Sequence, residues 1–419
     1  MKSFIKIFLL FFLLFSNEQK SYCNEKVWIS GLKKKCPIVQ MVDDLEYLKI
    51  FSLNNKINSV GDTISKPQDL EYEYYIAAIG KQSPIDFDYN KHVRKYIDIY
   101  TLERREQVSQ MLGLAEMYFP LFEDYLDKYQ LPLELKYLAV VESALNPLAI
   151  SKTGAVGLWQ FKINTGKMFN LSINSFVDER MDPDKSTEAA CLYLQYLYRI
   201  FNDWHLALAA YNVGPGAINN AIARSGGETN FWKIYDNLPE AAQNYVPAFI
   251  AAAYVMSNHS RHNIVPEKPI ISYSQTDTVM VSKPVNFNAL AKATGIPIEI
   301  IRFLNPIFKQ DYIPESTSKH SLRLPADKTT FFIKNEVEIY SKSTKPNNAE
   351  SKENSAGSLQ KQKIIHTVKS GDSMHKIAII YGCTLDDIFI WNPIVDSTLS
   401  IGQSITVWIN QKQLFKLNQ

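Results

Sequence analysis

Residues 135–145 read Leu135-Lys136-Tyr137-Leu138-Ala139-Val140-Val141-Glu142-Ser143-Ala144-Leu145, and this stretch decides the class of the fold. Its apolar positions recur at helical spacing and cover nearly every side, which predicts a helix buried in an interior. Glu142 falls on the stripe of Leu135, Leu138 and Leu145. Taking an ionised carboxylate out of water without a partner costs on the order of several kcal/mol, so this side chain is paired, protonated or functional. A structural glutamate held by a buried arginine or a helix N-terminus and a chemically active one both remain open. Desolvation favours the neutral form, and a neutral acid near pH 7 is able to donate a proton.

Outward from this helix, residues from Leu131 to about Asn258 read as helix after helix: Leu135 to Leu145, Ala189 to Phe201, His205 to Asn212 and Ala241 to Met256. In the second of these, Ala189, Leu192, Tyr193, Tyr196, Leu197 and Ile200 form a wide stripe expected to pack on neighbours. Gly214-Pro215-Gly216 and Gly226-Gly227 end helices. The expectation is an all-α domain over 96–262, preceded by a mixed polar segment, 23–95, in which a helical pattern emerges only near Tyr89. Past Pro266 the texture turns to β-branched runs such as Thr278-Val279-Met280-Val281. The final segment, 363–410, reads strand, helix, helix, strand and repeats the plan of a module at 270–336. Phe287-Asn288-Ala289-Leu290-Ala291 matches Met374-His375-Lys376-Ile377-Ala378, Gly295 matches Gly382, and Leu304-Asn305-Pro306 matches Trp391-Asn392-Pro393. Between the copies, 341–362 has almost nothing to bury and is expected to be a flexible linker.

The 419 residues, 46% of them hydrophobic, suffice for two or three cores. Lys+Arg of 45 against Asp+Glu of 43 leaves a formal charge of +2, which gives no electrostatic case for nucleic acid and suits an uncharged or mixed-charge substrate. Lys2 and Lys6 precede the apolar run Ile7 to Phe15, too short to span a bilayer, so 1–22 is expected to be a secretory signal peptide. Cys23 is then a candidate for lipidation and membrane attachment, although Tyr22 before it is bulkier than processing prefers. Cysteines 23, 36, 191 and 383 show no metal-ligand spacing, and Cys191 lies in an apolar helical pattern. No cofactor motif appears.

After Glu142, Asn146-Pro147 is expected to stop the helix, and Ser151-Lys152-Thr153-Gly154-Ala155-Val156-Gly157 leads into Leu158-Trp159-Gln160-Phe161. The glycines would let backbone approach a ligand. Trp159 and Phe161 are either core aromatics or sugar platforms, and Gln160 needs a polar partner if buried. Tyr211-Asn212 precedes Gly214, placing a phenol and an amide at a helix end, where Tyr211 could be core and Asn212 a cap.

Together, Glu142-Ser143, Asn146-Pro147, Ser151, Gly154-Ala155, Gly157-Leu158-Trp159-Gln160-Phe161, Ala210-Tyr211-Asn212-Val213-Gly214 and Tyr245-Val246-Pro247 resemble the soluble-lytic-transglycosylase family over roughly Leu131 to Met256. His366-Thr367-Val368-Lys369-Ser370-Gly371-Asp372-Ser373, with Trp391-Asn392-Pro393 and Ile401-Gly402-Gln403, resembles the LysM module, which binds N-acetylglucosamine-containing glycans. The earlier copy has Val281-Ser282-Lys283-Pro284 instead of the Ser-Gly-Asp signature, so a spacer role suits it. The resemblance implies an α+β multidomain chain: an all-α lysozyme-like catalytic domain, a divergent LysM-like module and a C-terminal βααβ LysM module. It implies a monomeric, exported enzyme of the periplasm or cell envelope, attached to the outer membrane if Cys23 carries lipid, and acting on peptidoglycan glycan strands without a cofactor or metal.

By the same resemblance Glu142 is the catalytic acid and then base, and Ser151 hydrogen-bonds the substrate's acetamido region. Gln160 and Asn212 line sugar subsites, Tyr211 and Tyr245 hold Glu142 or the substrate, and Ser143 supports the helix turn. Two departures stand out. Ala241-Ala242 occupies the place of a family Glu-Thr, with Glu240 one residue early and so about 100° away on a helix, and Phe161-Lys162-Ile163 replaces Phe-Met-Pro. A non-catalytic peptidoglycan-binding scaffold and a lysozyme-type hydrolase are the alternatives. The hydrolase needs a second carboxylate, for which Asp178, Glu179, Asp182 and Asp184 are the candidates, although a solvated loop is the reading their crowding favours.

Overall fold

The computed structural model describes residues 37–45, 48–51, 68–343, 362–369, 372, 377, 380, 381, 388, 391, 392 and 402–409. The expected signal segment, Cys23, Cys36, Cys383, linker residues 344–361 and much of the LysM signature lie outside them. In chain order the helices are α1 (Pro37–Asp44), α2 (Asp69–Gly80), α3 (Lys91–Asp98), α4 (Arg105–Lys128), α5 (Tyr137–Ser143), α6 (Ile163–Met168), α7 (Pro183–Phe201), α8 (Trp204–Val213), α9 (Pro215–Arg224), α10 (Glu240–Asn258), α11 (Phe287–Thr294), α12 (Ile298–Leu304) and α13 (Ala326–Lys342). The strands are β1 (Thr276–Val281), β2 (Val285–Asn286), β3 (Tyr312–Ile313), β4 (His320–Pro325), β5 (Gln362–Thr367) and β6 (Ser404–Ile409). The described residues divide into two compact units, one within Met1–Ser151 and Ala190–Ile270 and the other within Lys152–Ala189 and Ile271–Gln419.

The first unit is built around α10. Every residue from Tyr245 to Met256 is buried, as expected of a helix that is apolar all round. Helices α3, α5 and α8 pack on it. The polar N-terminal segment also folds into helices, because pairs such as Tyr72 and Ile76, one turn apart on α2, find a core to enter. The stripe on α7 divides. Ala189, Ala190, Cys191, Leu194 and Leu197 are buried, whereas Leu192, Tyr196 and Ile200 remain 36%, 45% and 41% exposed. These three are spaced by four, so they follow one edge of the stripe, and that edge does not pack as expected.

In the second unit, β1 and β4 pair antiparallel from Thr276 opposite Pro325 to Val281 opposite His320, with α11 and α12 between them in sequence. β5 and β6 pair in the same sense, and residues 377, 380, 381, 388 and 391 between them are helical. A matched asparagine identifies the two as copies of one design. Asn305 Nδ2 donates to Ile301 O and Arg323 O while its Oδ1 accepts from Arg323 N–H. Asn392 does the same with Ile388 O, Thr406 O and Thr406 N–H. In each copy the buried amide ties the second helix to the last strand, satisfying groups that would otherwise be lost from water. The α+β multidomain class is therefore as expected. Among the described residues, no helix is long and apolar enough to cross a membrane.

Candidate active site

Glu142 is half-buried, while Tyr137 to Val141 and Ser143, the rest of α5, are buried. The helix stops earlier than Asn146-Pro147. Ala144 and Leu145 adopt left-handed φ of 52° and 62°, a strained conformation for side-chain-bearing residues that is held by their complete burial. This reversal puts Glu142 in the last turn of α5, where Val140 O, Ala139 O and Ser143 O accept the N–H groups of Ala144, Leu145 and Asn146. Ser143 Oγ donates to Ala139 O at 3.1 Å.

One phenol contacts the carboxyl and a second feels its charge. Tyr245, buried on α10, donates its hydroxyl to Glu142 Oε1. Burial, followed by the charge of Glu142, pushes the Tyr245 phenol well above its usual value, and the same two causes act on Tyr211. Both therefore stay protonated, and Tyr245 serves as a donor. Tyr193, which the sequence presents only as one member of an apolar stripe, lies with its ring 5.2 Å from that of Tyr211. Asn212 is exposed as the last residue but one of α8. The cap is Gly214, at φ 85°, whose N–H donates to Ala210 O, and Pro215 then starts α9, so Gly214-Pro215 both ends one helix and begins the next. Glu142, Ser143, Ser151, Tyr211, Asn212 and Tyr245 all belong to the first unit, with Ser151 half-buried.

Gln160 belongs to the second unit. It is half-buried, has a φ of 49°, and donates Nε2 to Gly157 O at 2.9 Å. Trp159 and Phe161 prove to be core: they are 0% and 2% exposed, and Trp159 Nε1 donates to Thr187 Oγ1. Gly157 is needed for a protein contact rather than for a ligand, since a Cβ there would lie 2.3 Å from Arg180 O. The acidic run divides: Asp182 and Asp184 sit at the N-terminus of α7, with Asp184 exposed, whereas Asp178 is buried. Asp178 and Arg180 form a buried ion pair, with Asp178 Oδ1 and Oδ2 accepting from Arg180 Nε at 2.9 Å and Nη2 at 2.7 Å. The Glu179 carboxylate accepts from Ser172 N–H and Lys185 Nζ, and Asp182 Oδ1 accepts the amides of Asp184 and Lys185. Sequence reading missed Arg180, whose only signal is a cation between Glu179 and Met181 beside a possible partner.

At the departure from the family pattern, Glu240 opens α10 and is exposed, Ala241 is exposed and Ala242 buried. One turn on, Asn244 accepts from Tyr96 Oη at 2.9 Å and donates to Glu240 O at 2.8 Å.

Comparison with known families matches residues 120–234 to the transglycosylase SLT domain, 275–341 to the LysM-like domain of lytic transglycosylase MltD, and 366–408 to the LysM domain. The chain is 28% identical over 343 residues to membrane-bound lytic murein transglycosylase D of Escherichia coli K12, covering 79% of this chain and 72% of that one. It is 31% identical over 141 residues to the soluble lytic murein transglycosylase of the same strain, covering 32% and 22%. Among solved structures, the 70 kDa soluble lytic transglycosylase of Escherichia coli aligns at a TM-score of 0.32 and 19% identity, over 61% of this chain and 46% of that one.

Proposed function

We propose that this chain, whose SLT domain and two LysM-type modules make it a lytic murein transglycosylase by family, cleaves the β-1,4 bond between N-acetylmuramic acid and N-acetylglucosamine in peptidoglycan. The cleavage leaves 1,6-anhydromuramoyl ends. Glu142 protonates the bridging oxygen as the bond to the muramoyl anomeric carbon breaks, and the substrate's own acetamido group supports the developing oxocarbenium ion. The Glu142 carboxylate then takes the proton of the muramoyl 6-hydroxyl, which closes onto the anomeric carbon. No water is consumed, and Glu142 ends in the protonated state in which it began.

The observation that carries this reading is a half-buried carboxyl set in an otherwise buried helix and hydrogen-bonded by a phenol held protonated. Hydrolysis in the usual two-carboxylate manner needs a second free acid. Of the four candidates, Asp178, Glu179 and Asp182 are engaged in ion pairs or with backbone amides, and Asp184 is exposed in the first turn of α7. Ser151 is assigned to the acetamido group, Gln160 and Asn212 to sugar subsites, Tyr245 and Tyr211 to holding Glu142, and Ser143 to its helix turn. Export by residues 1–22, with Cys23 as a lipid anchor, would deliver the enzyme to the periplasmic face of the outer membrane. The test is release of soluble fragments from purified peptidoglycan. Glu142→Gln is expected to abolish it while binding persists; undiminished release would reject the assignment.

A further inference from the structure

Residues 176–178 and 307–309 meet as two short antiparallel strands. Val177 bridges Phe308; on either side Asp178 N–H donates to Ile307 O at 2.9 Å and Lys309 N–H donates to Phe176 O at 2.7 Å. Gln310 Nε2 adds a bond to Ser175 O at 2.9 Å. The contact has an apolar centre as well as paired backbone. Val177 and Phe308 are buried, Phe308 meets Phe287 and His320 edge-on, and the Phe176 ring lies 5.7 Å from that of Tyr312. Burial is also what lowers the His320 pKa most, with Glu179 and Lys185 near enough to act on it with opposite signs.

Asp178 continues the path. Its amide is held by the module, and its carboxylate holds Arg180, whose Nη1 donates to Gly154 O at 3.1 Å and Phe161 O at 3.0 Å. Arg180 therefore grips both ends of the 154–161 loop, and Gly157 packs under its carbonyl. Lysine could not make this set of contacts, because a planar fork is needed to reach a carboxylate and two carbonyls together.

We infer that the 275–341 module acts in cis as a clamp on the 154–161 loop, with Asp178 and Arg180 as positioning residues for Gln160. That Gln160 serves a substrate rests on the function proposed above; the clamp itself does not.

The test is amide hydrogen exchange in the full chain, read at Val156 and Gln160, whose N–H groups donate within the loop to Phe161 O and Gly157 O. Lys309→Pro removes the amide given to Phe176, and Phe308, at φ −89° and ψ 110°, already has the extended backbone a following proline requires. Exchange at both loop amides is expected to rise about tenfold, the order set by losing one or two net hydrogen bonds, with Ala248 in α10 unchanged. Gln310→Ala, which deletes a single side-chain bond, is expected to give a smaller rise at the same amides. Wild-type rates at Val156 and Gln160 in a folded Lys309→Pro protein would overturn the clamp. If that variant does not fold, unchanged rates in Gln310→Ala would do so. Because no substrate enters this readout, an inactive wild type would remove the proposed function and leave the exchange result standing.

Discussion

Tyr245→Phe removes one oxygen from the molecule, the one whose hydrogen faces Glu142 Oε1. A hydrogen bond to a charged group contributes roughly 1.5–3 kcal/mol, and each 1.36 kcal/mol of barrier is a factor of ten, so kcat is expected to fall about 10- to 100-fold. Tyr245 is only 1% exposed, so a substrate has little of it to touch. KM is therefore expected to stay within about twofold, because the lost interaction acts through Glu142 and not through binding. Initial rates on soluble glycan strands over a range of concentrations separate the two parameters, and a thermal melt checks the fold. A kcat within about twofold of wild type, or a loss carried wholly by KM, would refute the idea that this phenol holds the reacting carboxyl.

His262 supplies a pH signature. Burial, with Arg105, Arg261 and Arg94 adding to it, lowers its pKa from 6.5 to about 4. Between these values the unfolded chain binds the proton and the folded chain does not. Stability therefore falls as pH drops from 6.5 towards 4, by about 3 kcal/mol in all, and is unaffected by this group above 6.5. Urea unfolding of His262→Gln should show a shallower loss across that window; an unchanged slope would contradict the assignment. Gly157→Ala, which puts a Cβ 2.3 Å from Arg180 O at a φ of 80°, should cost about 2–3 kcal/mol, and a cost under about 0.5 kcal/mol in the same assay would mean that the backbone yields there. Truncation after Ser343 removes the module at 366–408 and should slow action on intact sacculi several-fold more than on short glycans, because tethering raises local concentration only on the polymer. Equal loss on both substrates would rule out a tethering role.

Periodicity made the helical domain legible. The runs around Glu142 and along α10 are apolar on almost every side, and such helices have few places to go but a core. The module repeat was legible for a different reason: Asn305 and Asn392 each make three backbone hydrogen bonds that the fold requires, so the Asn-Pro pair recurs at matched positions. What stayed hidden depends on long-range placement. Spacing along α7 cannot say which edge of a wide apolar stripe meets a neighbour, hence the exposure of Leu192, Tyr196 and Ile200. Nor can it say that Asp178 leaves solvent to pair with Arg180, or that Gly157 accommodates a carbonyl 23 residues later in the chain. Motif order marked Glu142, Tyr211 and Tyr245 as a group, but the hydrogen bond from Tyr245 to Glu142 is a fact of packing between α5 and α10.

The most direct test is mass spectrometry of the glycan ends formed when purified peptidoglycan is incubated with the wild-type chain and with Glu142→Gln. The account predicts 1,6-anhydromuramoyl ends from the wild type and none from the variant. Reducing muramoyl ends, or anhydro ends that persist in the variant, would contradict it.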